Sequence, residues 1–181
     1  MIPAVTVDGR VGTLGPPIWV HDRWLWTSAG HVLREVGRPA LLSDGTLGTV
    51  VWVGPVVVPG PNCVDIGLLS IPGRVGRPRR VAKLKVGEQV VVAAAAGVRL
   101  ATVVGPKSPL PLLRPGLPLL WMVGAWKVVG SVGPASAEGD SGAAVTTLDG
   151  RLVGSLFGGA GDFGFVTPWR FVRRSVGAWG G

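Results

Sequence analysis

The sequence predicts an all-β protein of many short strands joined by tight turns. Three observations carry that expectation. Glycine and proline are abundant, 30 and 16 of 181 residues, and they interrupt every apolar run before it reaches helical length. Those runs are rich in valine, which suits a pleated surface better than a helix. Turn dipeptides (Asp8-Gly9, Asp44-Gly45, Asp149-Gly150) fall between the apolar runs, where hairpins need them.

Taken in order, residues 6–14 form an alternating segment around Asp8-Gly9. Ile18-Trp19-Val20 and Trp24-Leu25-Trp26-Thr27 then flank His21-Asp22-Arg23 as a second hairpin, which puts His21 at an exposed turn. This strand runs into Ser28-Ala29-Gly30-His31, and Val32-Leu33 begin a brief helical turn. Strands follow at 46–53 and at Val56-Val57-Val58. Asn62-Cys63-Val64-Asp65-Ile66-Gly67-Leu68-Leu69 sets one carboxylate inside an apolar run. Residues 71–80, rich in Pro, Gly and Arg, read as an inter-domain linker. Strand signals resume at Val86–Val92 and Val98–Val104. Residues 106–118 read as a Pro- and Leu-rich loop and 119–129 as a strand. Leu148-Asp149-Gly150 turns a hairpin between 143–147 and 151–156, and Phe163–Thr167 is the last strand. Pro168 opens a helix at its tolerated first position, with Phe171, Val172 and Val176 on one face and Arg170, Arg173 and Arg174 on the other.

Composition narrows the function classes. The formal charge is +8, concentrated in Arg74, Arg77, Arg79, Arg80, Lys83 and Lys85 and in the C-terminal helix. That stretch is either a solvated strap or a surface for weak nucleic-acid contact. With two histidines and one cysteine the chain offers no metal-ligand cluster, and no cofactor is expected. Cys63 cannot form an intrachain disulfide; it reads as a small core residue and fits a reducing compartment. Val90 to Gly97 is too short to span a bilayer, so no membrane segment is expected. Met1-Ile2-Pro3-Ala4-Val5 carries no signal-peptide pattern.

The stretch that points to chemistry is Glu138-Gly139-Asp140-Ser141-Gly142-Ala143-Ala144-Val145, which suits a tight turn with a hydroxyl at its apex. Gly139 can adopt angles closed to other residues, so that successive N–H groups can aim at one spot and stabilise an oxyanion. Such a serine needs a base and an orienting acid. His31, at the end of a strand, is either a core imidazole or a general base. Asp65 is either a turn aspartate or a buried carboxylate paired with an imidazolium.

Thr27-Ser28-Ala29-Gly30-His31, Asp65-Ile66-Gly67-Leu68-Leu69 and Gly139-Asp140-Ser141-Gly142, in that order, resemble the motifs of the chymotrypsin-like (trypsin-fold) serine proteases. Lys85-Val86-Gly87-Glu88-Gln89-Val90 resembles the entry to that family's second barrel, and Gly164-Phe165-Val166-Thr167-Pro168 the run into its C-terminal helix. The sequence departs from the usual motifs at Gly30, at Gly67 and at Ala143-Ala144.

The resemblance implies two antiparallel six-stranded β-barrels and a short C-terminal helix. Residues 1–78 would carry His31 and Asp65, and residues 79–181 Ser141. It implies a serine endopeptidase acting on polypeptide, with Ser141 as nucleophile, His31 as base, Asp65 as orienting acid and the Gly139 and Ser141 N–H groups as oxyanion hole. It places Ala135, Ser136, Leu156, Phe157, Gly158 and Gly159 around the substrate side chain. Ala135 supplies no carboxylate for arginine or lysine, and the chain lacks the extra histidine for glutamate, so apolar residues are expected. In secreted relatives Asp140 pairs with a released N-terminus; the pattern for that is missing here, so activity without zymogen cleavage is expected. The Ala-Gly-His variant and the compact size resemble the viral polyprotein-processing members of the astrovirus and arterivirus type, which would place the chain in the host-cell cytoplasm and make its own polyprotein a substrate. The alternatives are a bacterial trypsin-like peptidase or a protease-like module that binds peptide or RNA without activity.

Overall fold

The computed structural model describes residues 1–54, 64–107, 110–112, 120–122 and 124–179. The strand expected at Val56–Val58, together with Asn62 and Cys63, lies outside the described residues, as does much of the stretch from 108 to 123.

The first seven strands are β1 (Ala4–Val7), β2 (Arg10–Thr13), β3 (Pro17–Val20), β4 (Arg23–Ser28), β5 (Pro39–Leu42), β6 (Leu47–Val53) and β7 (Gly67–Ser70). They pair antiparallel in the order β2-β1-β5-β6-β7-β4-β3. Two of the hairpins turn where the sequence marks them. Asp8 and Gly9 have φ of 47° and 77°, and His21 and Asp22 have φ of 49° and 57°. Positive φ at both central residues matches the right-handed twist of the flanking strands, which selects Asp, His or Gly there. Between β4 and β5 the single helical turn α1 (Gly30–Leu33) carries His31.

The second half contains β8 (Gln89–Ala94), β9 (Gly97–Pro106), β10 (Leu110–Leu112), β11 (Leu120–Met122), β12 (Trp126–Gly130), β13 (Ala144–Thr147), β14 (Leu152–Ala160) and β15 (Phe163–Pro168), followed by α2 (Trp169–Trp179). Six of these strands close into a barrel, β12-β15-β14-β13-β8-β9. Val90, Val92, Val103, Val128, Val145 and Val166 fill it, each fully buried. The strands alternate with period two, so every second valine reaches the interior.

Two expectations need correction. The N-terminal sheet has seven strands rather than six, and among the described residues its ends, β2 and β3, share no ladder, so only the C-terminal barrel is closed. Leu110–Leu112, read as loop, forms β10 against β11. A proline is tolerated on the edge of a sheet, and Pro111 pairs in register with Trp121 in this two-stranded ladder. His21 is exposed, yet its ring packs edge-on against Trp179 at 5.1 Å.

The segment 71–80 is tied down along its length. A Cβ on Gly76 would come within 2.6 Å of Pro17 and 2.7 Å of Trp24, so only glycine lets the strap lie so close. Leu152 donates its N–H to the Arg80 carbonyl at 2.8 Å. Arg74 caps the Trp26 ring at 4.8 Å and contacts Asp44 at 3.4 Å. No helix among the described residues is long and apolar enough to cross a membrane.

The two sheets share a core. Leu25, Trp52, Ile66 and Leu68 from the first meet Ala144 and Leu152 from the barrel and Trp169, Val172 and Val176 from α2. Pro168 thus ends β15, and α2 lays its apolar face across the seam. Truncating the fully buried Leu68 to Ala should cost about 2–5 kcal/mol. Because the seam joins both halves, thermal unfolding followed by tryptophan fluorescence should remain one transition; two separated transitions in the Leu68→Ala variant would contradict this.

Candidate active site

Asp65 lies just before β7, and its side chain is 1 % exposed. A carboxylate so placed is costly unless its oxygens are satisfied. Asp65 Oδ1 accepts the backbone N–H of His31 at 2.8 Å, and Oδ2 lies 2.5 Å from His31 Nδ1. The ring is therefore gripped at both its backbone and its Nδ1, which assigns the Nδ1 proton to the carboxylate side and leaves Nε2 as the basic nitrogen. Gly30 makes this approach possible: a Cβ there would stand 2.9 Å from Asp65 Oδ1. The small residues before His31 thus have a steric cause.

Ser141 sits in the loop between β12 and β13. A cleft of about 550 Å³ is lined by both His31 and Ser141, with Gly139, Ser136, Gly158 and Gly159 on the barrel side and Arg10 and Val11 on the other. The His31 side chain is 32 % exposed, open to this cleft. The Ser141 hydroxyl makes no hydrogen bond to another described residue. Gly139 has φ of 84°, the left-handed region the sequence assigned to it.

The loop is held from several sides. Asp140 is fully buried; Arg99 Nη1 reaches its Oδ2 at 2.6 Å, and the Ala137 N–H donates to the same oxygen at 2.7 Å. Arg99, on β9, thus supplies the positive charge that the resemblance assigned to a released chain terminus. The signal for Arg99 was available, since it is the one cation in the apolar run 98–104. Thr13 also meets the loop: its N–H donates to the Ser141 carbonyl at 2.8 Å and its hydroxyl to the Gly139 carbonyl at 2.9 Å. Nothing in the sequence around Thr13 marks it.

The residues expected around the substrate divide. Ser136, Gly158 and Gly159 line the cleft. Ala135 and Leu156 are fully buried in the barrel core, and Phe157 packs with Met122, Ala125 and Phe165. The bulge in β14 between Leu156 and Gly158 interrupts the strict alternation of faces that sequence position suggests. A separate pocket of about 310 Å³ beside the start of α2, lined by Leu84, Trp126, Val153 and Trp169 together with Lys83 and Arg170, contains no hydroxyl or carboxylate side chain. Chemistry of the kind the sequence suggests belongs to the wider cleft. Among the described residues no three His, Cys, Asp or Glu side chains cluster so as to hold a metal.

No protein-family model and no curated protein sequence matches this chain. Solved structures do match. Thermobifida fusca protease A superposes with a TM-score of 0.71 at 18 % identity, covering 96 % of this chain and 93 % of its own. The chymotrypsin of Cellulomonas bogoriensis gives 0.69 at 17 % identity over 96 % and 93 %. The Rv3671c protease of M. tuberculosis in its active form gives 0.66 at 19 % identity over 97 % and 79 %. The chain has the chymotrypsin-like fold. In it, the cleft with His31 and Ser141 lies where the closed barrel meets the N-terminal sheet.

The Arg99–Asp140 pair generates a test. Arg99→Gln leaves a buried carboxylate without its cation and should destabilise the protein by about 3 kcal/mol. Arg99→Gln combined with Asp140→Asn should recover much of that loss in urea unfolding. Equal stability of the single and double variants would show that the pair is not compensating a buried charge.

Proposed function

We propose that this protein is a serine endopeptidase. The observation that carries the reading is the buried Asp65 carboxylate gripping His31 at 2.8 and 2.5 Å, in the same cleft as Ser141 at the apex of its turn. A serine hydroxyl is a weak nucleophile until a base takes its proton, and a base needs a fixed tautomer to do so. The pair provides both.

In this mechanism Ser141 Oγ attacks the peptide carbonyl carbon while its proton passes to His31 Nε2. Asp65 stabilises the imidazolium without taking the proton. The carbonyl oxygen becomes an oxyanion held by the Gly139 and Ser141 N–H groups, neither of which donates to another described residue. The intermediate collapses, the C–N bond breaks, and the leaving amine receives the proton from His31. Water then attacks the acyl-serine by the same route in reverse, releasing the acid and restoring Ser141.

Uncharged side chains are the substrate class we favour. The barrel side of the cleft presents Ser136, Gly158 and Gly159 without a cation, Arg10 lying on the other side, and its one carboxylate, Glu138, is exposed. The expected apolar lining by Leu156 and Phe157 gives way to glycine walls, since both side chains lie in the core. Because Arg99 already neutralises Asp140, the reading requires no released N-terminus for activity. The three structural neighbours named above come from bacteria, and on that ground we favour the bacterial peptidase alternative over viral polyprotein processing. Arg74 is engaged with Trp26 and Asp44, which leaves less of the basic strap for nucleic acid.

A fluorophosphonate probe should label the native chain stoichiometrically at Ser141, and Ser141→Ala and His31→Ala should abolish labelling. Asp65→Asn should lower kcat on a peptide substrate on the order of ten-thousand-fold. A well-folded native chain that takes up no probe would refute the reading.

A further inference from the structure

We infer that Thr13 is a positioning residue whose hydroxyl sets the geometry of the oxyanion-binding turn from the opposite half of the molecule; the inference rests on the protease reading above. Thr13 ends β2 in the N-terminal sheet and is fully buried. It makes four hydrogen bonds at one spot. Its N–H donates to the Ser141 carbonyl at 2.8 Å, and its carbonyl accepts from Ser28 Oγ at 2.9 Å. Its Oγ1 lies 2.9 Å from the Gly139 carbonyl and 3.1 Å from the Ala95 N–H in the β8–β9 turn. An amide can only donate, so Oγ1 accepts from Ala95, and its single proton is committed to Gly139.

The consequence lies in the peptide planes. In a trans peptide the C=O of one residue and the N–H of the next point in opposite directions. Thr13 holds the carbonyl ends of the planes 139–140 and 141–142. Their other ends are also bonded: the Asp140 N–H donates to the Ala137 carbonyl at 3.2 Å and the Gly142 N–H to the Leu156 carbonyl at 2.7 Å. Alternate planes of the turn are thus fixed at both ends. The planes that precede each of them, 138–139 and 140–141, carry the Gly139 and Ser141 N–H groups, which are left for the oxyanion. The seat is also close: a Cβ on Gly142, whose φ is 100°, would stand 2.4 Å from the Thr13 carbonyl oxygen.

Without the hydroxyl, the Gly139 carbonyl loses its partner and the plane 139–140 can turn about ψ of Gly139 and φ of Asp140. The donors then no longer meet the transition state in a fixed arrangement, while ground-state binding of the peptide is little affected. Loss of an oxyanion donor itself costs about a hundredfold to a thousandfold in kcat; loss of the group that aims the donors should cost about tenfold to a hundredfold.

The test compares Thr13→Val, which keeps the shape and loses the hydroxyl, with Thr13→Ser, which keeps the hydroxyl. For Thr13→Val we expect kcat on a peptide anilide to fall about tenfold to a hundredfold with KM changed less than about threefold. Affinity for a peptidyl trifluoromethyl ketone, which forms the tetrahedral adduct, should fall by the same factor. Thr13→Ser should restore both. Thr13→Cys, a weaker donor of similar size, gives an intermediate loss and serves where the valine variant does not fold. A folded Thr13→Val or Thr13→Cys with native kcat overturns the inference, as does an equal loss of kcat in Thr13→Ser and Thr13→Val. A native chain inert to both substrate and ketone overturns the protease reading and this inference together, so the two failures are told apart by the native control.

Discussion

Burying a carboxylate is the constraint around which this molecule is arranged. Asp65 and Asp140 are both withdrawn from water, and each dictates its surroundings. Asp65 requires a donor set at short range, which fixes α1, demands glycine at position 30 and orients the His31 ring. Asp140 requires a cation, which brings Arg99 across from β9 and pins the loop that carries Ser141. A charge in the interior is tolerated only when paired and hydrogen-bonded. Each pairing here uses a group from a different strand or turn, so satisfying the charges also assembles the cleft.

The parts of this arrangement that were legible in the sequence are those with a local signature. The Asp-Gly turns and the valine-rich strands among the described residues appear where backbone preferences put them, while Pro168, expected as the first helical residue, ends β15 and α2 starts one residue later. Asp65 stood out as a lone acid in an apolar run, and Ser141 as a serine among glycines. Arg99 carries the same kind of signature and can be read by the same logic. Thr13 cannot: a threonine in a strand is unremarkable, and its bonds to residues more than eighty positions away exist only in the folded chain. The seven-stranded form of the first sheet was hidden for a similar reason, since closure depends on how the edges β2 and β3 meet rather than on any one residue. Which of residues 156–159 reach the cleft was not legible, because the bulge in β14 interrupts the alternation of faces there.

The seam between the halves is more than a contact surface. Trp52 and Trp179 approach to 5.9 Å there, and His21 adds its ring to Trp179 from the β3–β4 turn. The helix thus acts as a lid for side chains of both sheets, which individually would leave Leu25, Ile66 and Leu68 facing water. Burial at a shared seam resists separation of the parts that hold His31 and Ser141.

The strap at 71–80 completes this picture. Its backbone is anchored to the first sheet at Gly76 and to the barrel at Arg80, while α2 and the shared core already bind the two halves without it. Covalent continuity through the strap is therefore a matter of effective concentration rather than of attachment. A cut there would leave His31 and Asp65 on one piece and Ser141 on the other, so that only the shared core would hold the three residues in one cleft.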